Sequence, residues 1–366
     1  MARTSRRQFL VQTAASASLA ALPLRGHAQA ETWGTLKAAA ASRGLLVGCC
    51  VHAKALREQP DYVALVKQQM SILVAENEFK FGPLHPEPTT FFFDDADTII
   101  NFAEQNGMKM RGHNFVWHRA LPPWFATYVT PQNAEQVLVN HIEAVAGRYK
   151  GRIHSWDVVN EAIQVSDNLP NGMRNSPWQK LLPNYIDIAF RTARRVDPHA
   201  ILTYNDYDVE GEDAAATAKR AAVLELVRGM QKRGVPIDAV GIQSHIHAGP
   251  KYTYGSALTQ FMSDIQKLGL KMMLTEMDVN DRDLPADATR DAVVADLYTS
   301  YLTTTLASPN VLALLTWGIT DRSTWLNHEG ARKDGLPERA LPFDTNLMPK
   351  PAFASELVAL KAAPHR

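Results

Sequence analysis

The chain has 366 residues, 46% of them apolar, enough for one large barrel or for two ordinary domains with a sizeable core. Its 38 Lys and Arg balance its 38 Asp and Glu, which argues against a nucleic acid or another polyanion as partner. Beyond the N-terminus no stretch is long and apolar enough to span a bilayer, and two cysteines are too few for a disulfide framework.

The chain opens on Ser5-Arg6-Arg7-Gln8-Phe9-Leu10, a twin-arginine pattern. An apolar stretch from Val11 to Leu22 and the small-x-small site Ala28-Gln29-Ala30 follow. Together they predict an export signal over residues 1–30, a twin-arginine route and a periplasmic or secreted mature protein. After the leader, apolar runs alternate with amphipathic segments. The predicted strands are Leu45–Val51, Ile72–Glu76, Met108–Trp117, Ile153–Asn160, Ala200–Asn205, Ala239–His245, Lys271–Asp278 and Val311–Ile319. Cys49 and Cys50 are adjacent in the first of them, and adjacent cysteines rarely bridge, so two core thiols are expected. Helical spacing runs over Asp94–Asn106, Gln132–Tyr149, Asp213–Arg233 and Gly255–Leu268, each stopped by a glycine. Eight strands alternating with helices predict an α/β fold closed into a (β/α)8 TIM barrel, with residues 31–366 as a single catalytic domain. A doubly wound open sheet is the alternative, but no Gly-x-Gly-x-x-Gly turn follows the first strand. No separate carbohydrate-binding module is visible, and a monomer is expected.

Active sites of this barrel lie at the carboxyl ends of its strands. Two glutamates, Glu161 and Glu276, end apolar runs there. A carboxylate at the end of a buried strand is costly unless it has a task or a partner. Two of them in one barrel fit the acid and the nucleophile of a retaining glycosidase. Strand alternation puts Asp278 on the same side as Glu276, with His245 at the end of the neighbouring strand. A lone buried histidine is more often a hydrogen-bonded core residue, but a Glu-His-Asp chain would fix the ring and keep Glu276 ionised. The same alternation sends Asn160 and Glu161 to opposite sides unless the strand ends or bulges there. Trp117, Trp317 and Trp325 fall at or beyond strand ends, where indole faces suit the apolar face of a pyranose. His113 and His118 are separated by strand geometry and lack a thiolate neighbour, so no metal and no cofactor are expected.

In this order the motifs resemble glycoside hydrolase family 10, the retaining endo-β-1,4-xylanases. The resemblance runs from about Leu45 to Phe353. It rests on Glu76-Asn77-Glu78-Phe79-Lys80-Phe81, Arg111-Gly112-His113-Asn114-Phe115-Val116-Trp117-His118 and Trp156-Asp157-Val158-Val159-Asn160-Glu161. Tyr204-Asn205-Asp206-Tyr207, Gly241-Ile242-Gln243-Ser244-His245, Thr275-Glu276-Met277-Asp278, Trp317-Gly318-Ile319-Thr320-Asp321 and Trp325 complete it. The resemblance implies that Glu161 is the acid/base and Glu276 the nucleophile. Asn160 would bond the 2-hydroxyl of the reacting sugar. His245 and Asp278 would orient Glu276, with Gln243 in the same shell. It further implies that Glu76, Asn77, Lys80, His113 and Trp117 grip the non-reducing side, while Trp317 and Trp325 roof the cleft. Xylan and xylo-oligosaccharides are the implied partners. The alternatives are a related barrel glycosidase acting on β-1,4-glucan or short aryl glycosides, and a silent barrel that only binds polysaccharide. The chain departs from the family pattern at Phe79, Phe81, Arg119 and Ala120, where the family reads Met, Trp, Ser and Gln. These departures predict an altered distal glycone side. Either Ala120 leaves a sugar contact unmade, or Arg119 supplies it.

Overall fold

The computed structural model describes residues 34–366, so the export-signal expectation for residues 1–30 lies outside the described residues. Nine strands follow in chain order: β1 Leu46–Val51, β2 Ile72–Ala75, β3 Lys109–Val116, β4 Ser155–Asn160, β5 Ile201–Asp206, β6 Ala239–Ile242, β7 His245–His247, β8 Lys271–Asn280 and β9 Val311–Thr316. All neighbours are parallel, from β6 through β1 to β9 and β8. The β6–β8 ladder closes the ring, giving the expected (β/α)8 barrel.

The predicted sixth strand, Ala239–His245, is really two pieces. Ser244 sits at φ 64 and donates its N–H to Glu210 Oε1 (2.7 Å). That break ends β6 and starts β7, which continues along the upper half of β8 with His245 opposite Asp278.

Helices Pro60–Gln69, Asp94–Gln105, Ala134–Arg148, Tyr185–Val196, Ala214–Lys232, Ser256–Lys267 and Arg290–Leu306 connect successive strands, and Pro351–Ala362 follows β9. The four predicted helical segments coincide with four of these to within two residues at each end. The last helix is nearly apolar all round, because it is covered by both Arg290–Leu306 and the short helix Leu36–Ala41. Tyr185–Val196, by contrast, carries a clear buried stripe of Ile186, Ala189, Phe190 and Ala193.

The strands divide the apolar core in two. An outer layer fills the space between strands and helices. An inner cluster inside the ring includes Cys50, Ile72, Val74, Met273 and Leu315. Alternation along β1 therefore splits the two thiols, Cys49 outward and Cys50 inward, and both are free. The interior also holds Arg111, fully buried and ion-paired to Asp157. Gly112 is needed next to it: a Cβ there would lie 1.9 Å from Cε3 of the buried Trp156.

Candidate active site

A cleft of about 870 Å³ opens at the carboxyl ends of the strands. Of the predicted site residues, Glu76, Asn77, Lys80, His113, Trp117, Asn160, Glu161, Gln243, His245, Glu276, Trp317 and Trp325 line it. Asp278 is fully buried behind His245.

The geometry of β4 resolves the alternation problem. Its register shifts between Asp157 and Val159 against β5, and the strand ends at Asn160. Glu161 then takes a left-handed backbone, φ 59, while its N–H still donates to Asn205 O (2.9 Å). The turn brings a second consecutive side chain to the same mouth. Arg174 Nε donates to Glu161 O (2.6 Å) and holds the turn.

The two glutamates share one polar frame. Gln243 Nε2 donates to Glu161 Oε1 (3.1 Å) and to Asn160 Oδ1 (3.2 Å). Asn205 Nδ2 donates to the same Asn160 oxygen (3.0 Å) and to Glu276 Oε1 (2.7 Å). Trp117 Nε1 donates to Glu161 Oε2 (2.8 Å). On the other side, His245 lies between Glu276 Oε2 (3.2 Å from Nε2) and Asp278 Oδ1 (3.0 Å from Nδ1). Asp278 Oδ2 accepts from Trp325 Nε1 (2.7 Å). His113 is held by Asp157 Oδ2 (2.9 Å) and stands 3.9 Å from Glu276 Oε1.

These settings push the two carboxyl groups apart. Burial raises Glu161, and the charges of Asp206 and Glu276 add to it, outweighing the bonds from Trp117 and Gln243. Burial opposes ionisation of Glu276 too, but the attraction of His113 and the His245 hydrogen bond win, and its pKa falls below the ordinary carboxylate value. The pair has one member biased to hold a proton and one biased to stay charged. His118 Nδ1 approaches Glu161 Oε2 to 3.6 Å, but burial and Arg174 bring the ring down to about 4, so the contact is not an ion pair at neutral pH. Among the described residues no group of three or more His, Cys, Asp or Glu side chains is arranged to hold a metal ion.

Sequence reasoning gives no site role to several residues that line the cleft: His52, Arg174, Tyr207, Asp208, His247, His328 and Glu329. His52 follows β1 directly, so the strand-end rule would have found it. Asp157, which braces both Arg111 and His113, signals itself as a charge inside a buried strand. Asn205 had the strand-end signal but was left out of the predicted site.

The departures from the family pattern sort themselves by position. Phe79 and Phe81 are buried and do not line the cleft. Phe79 packs on Tyr149 and Trp156, and Phe81 stacks on His141 (centroids 3.8 Å apart). Neither bears on the glycone side, contrary to the expectation for Phe81. Arg119 lines the cleft and approaches Glu329 to 3.7 Å. Ala120, at φ 52, uses its carbonyl to accept from Gly82 N–H (2.8 Å) and is not among the lining residues.

A (β/α)8 barrel with an acidic pair split in this way, in an open cleft walled by tryptophans, is the architecture of a retaining glycoside hydrolase. Residues 35–359 match the model of glycosyl hydrolase family 10, and the chain belongs to that family, a retaining family of endo-β-1,4-xylanases. It is 37% identical over 319 residues to a thermostable celloxylanase of Thermoclostridium stercorarium, with 79% of each chain covered. It is 34% identical to endo-1,4-beta-xylanase B of Neocallimastix patriciarum, covering 86% of this chain but only 34% of that longer one. Xylanase 10B from Thermotoga petrophila RKU-1, solved in complex with xylobiose, superposes with a TM-score of 0.81 at 32% identity, covering 89% of this chain and 97% of that one. The (β/α)8 barrel and the family resemblance are thereby borne out. The chain is a glycosidase of the xylan-degrading class.

Proposed function

We propose that the protein is an exported, monomeric endo-β-1,4-xylanase that cleaves internal bonds of xylan by double displacement. Glu161 donates its proton to the leaving glycosidic oxygen while Glu276 attacks the anomeric carbon. In the second half Glu161, now ionised, takes the proton of the incoming water, which displaces Glu276 with net retention. Asn160 is fixed through its oxygen by Asn205 and Gln243, its amide donates to Glu161 Oε1 (3.3 Å), and on substrate binding that amide bonds the reacting sugar's 2-hydroxyl. Trp317 and Trp325 offer apolar faces to the ring, and Asp278 ties the Trp325 indole to the His245–Glu276 chain. Glu76, Asn77 and Lys80 hold the non-reducing side, with Lys80 Nζ bonded to Asn77 Oδ1 (2.9 Å) and 5.0 Å from the Trp117 ring centroid. The observation that carries the reading is the pair Glu161 and Glu276 lining one cleft and joined through Gln243, Asn160 and Asn205, and the opposite bias of the two carboxyl groups supports it.

Export by the twin-arginine route belongs to the same proposal and rests on Ser5-Arg6-Arg7-Gln8-Phe9-Leu10 and Ala28-Gln29-Ala30. Among the described residues no helix is long and apolar enough to cross a membrane. A second substrate, β-1,4-glucan, is favoured by the celloxylanase name of one relative. Hydrolysis of xylan compared with cellulose separates the two, and absence of turnover on both would leave a polysaccharide-binding barrel.

Chemical rescue tests the roles. On an activated aryl β-glycoside, azide restores turnover of Glu161→Ala with a β-azide product and of Glu276→Ala with an α-azide product. Reversed anomers would exchange the two roles.

A further inference from the structure

His52 lines the cleft beside Glu76. It stands one position past β1 in extended backbone (φ −113, ψ 137) and begins helix Ala53–Glu58 without a side-chain cap bond, so its ring is free to turn elsewhere. It turns to Glu76, with Nε2 2.6 Å from Oε2. Cys50 Sγ donates to the same oxygen (3.5 Å). Among the described residues no donor reaches the other oxygen of Glu76, and the residue lines the cleft. Glu78 has no such freedom: one oxygen accepts from Ala53 N–H (2.7 Å) and the other from Asn77 N–H (3.2 Å). Glu78 therefore clamps the loop, while Glu76 presents an unshared acceptor. The hydrogen-bond partners of Glu76 are separate from those of Glu161 and Glu276, so its free oxygen is not part of the frame that holds the acidic pair.

We propose that His52 is a specificity-determining residue of this cleft: its imidazole fixes one oxygen of Glu76 so that the other accepts a hydroxyl of the glycone sugar next to the reacting one. The inference rests on the xylanase reading and on Glu76 facing the non-reducing side. The charged and titratable groups around the ring are Glu76, Glu78 and Lys80. Burial alone would discharge the ring, but the Glu76 hydrogen bond and the two carboxylates outweigh it, and its pKa lies above the ordinary histidine value.

The test compares kcat/KM on an aryl β-xylobioside with that on the aryl β-xyloside, which lacks the second glycone sugar. Changes in Glu161 or Glu276 act on both substrates and cancel in the quotient. His52→Ala lowers the quotient about tenfold, the scale of one charge-assisted hydrogen bond. His52→Gln, which keeps a donor without the charge, recovers part of it. In the wild type the quotient falls as pH rises through the titration of His52, and in His52→Gln that slope vanishes. An equal loss on both substrates, or an unmoved quotient, would make His52 structural and overturn the proposal. If His52→Ala does not fold, the pH slope of wild type against His52→Gln decides in the same way. A wild type that turns over neither glycoside would refute the xylanase reading itself, a result distinct from an unmoved quotient.

Discussion

Glu356 is a carboxyl group that nothing in the fold uses. It lies on Pro351–Ala362, fully buried, and neither oxygen has a hydrogen-bond partner among the described residues. Burial pushes its pKa from the ordinary 4.5 up to about 8. The folded chain therefore keeps a proton that the unfolded chain releases. A raised acid contributes full stability below its unfolded pKa and loses it as pH rises toward the folded pKa. Each pH unit between the two costs about 1.4 kcal/mol. Glu356→Gln is an isostere of the protonated form and carries no such dependence. Its advantage over the wild type should be about 1 kcal/mol at pH 5 and about 3 kcal/mol at pH 7, levelling off above the folded pKa. Other buried carboxyls tilt the wild-type curve in the same direction, among them Asp321 at about 6 and Glu210 at about 7. The difference between variant and wild type isolates Glu356. Denaturant unfolding of both proteins at several pH values from 5 to 8 measures it. Parallel curves over that range would show that Glu356 titrates alike in the folded and unfolded chain, and the argument would fail.

Three further outcomes concern the cleft and its floor. Trp117→Phe keeps the aromatic face but removes the N–H that favours ionised Glu161. The alkaline limb of kcat/KM against pH should move up, and a limb that stays or moves down would contradict the acid role. Arg119→Ala should weaken long xylo-oligosaccharides about two- to tenfold relative to short ones, mainly in KM, whereas Ala120→Gln brings no length-dependent gain. A gain from Ala120→Gln in a chain-length series would restore the amide reading. Gly112→Ala forces a methyl group into the Trp156 ring and should cost about 1–3 kcal/mol or more, read as a lowered midpoint of unfolding.

The eight barrel strands were legible because each is a short apolar run buried on both faces, a pattern that survives without knowing its neighbours. Glu161 and Glu276 were legible for a related reason: a carboxylate at the end of such a run stands out against it. Pro351–Ala362 was not, since a helix covered on two sides loses the periodic stripe that identifies it. The break at Ser244 was not, because it depends on Glu210, a residue remote in sequence that takes the N–H otherwise due to the ladder.

What the sequence determined by itself is the barrel, the family and the presence of Glu161 and Glu276 at the mouth of the barrel, since these follow from local period and motif order. What only the tertiary structure decided is which side chains meet. Alternation along β4 argued that Asn160 and Glu161 diverge, and the left-handed turn at Glu161 reverses that. The upward shift of Glu161 comes from burial and from the charges of Asp206 and Glu276, and the downward shift of Glu276 from His113 and His245, all brought together from different strands and the loops after them. Phe81 and Arg119 looked like equal departures in the sequence, yet one is packed against His141 and the other faces the cleft. Position in a motif does not encode distance, and both electrostatics and packing depend on distance.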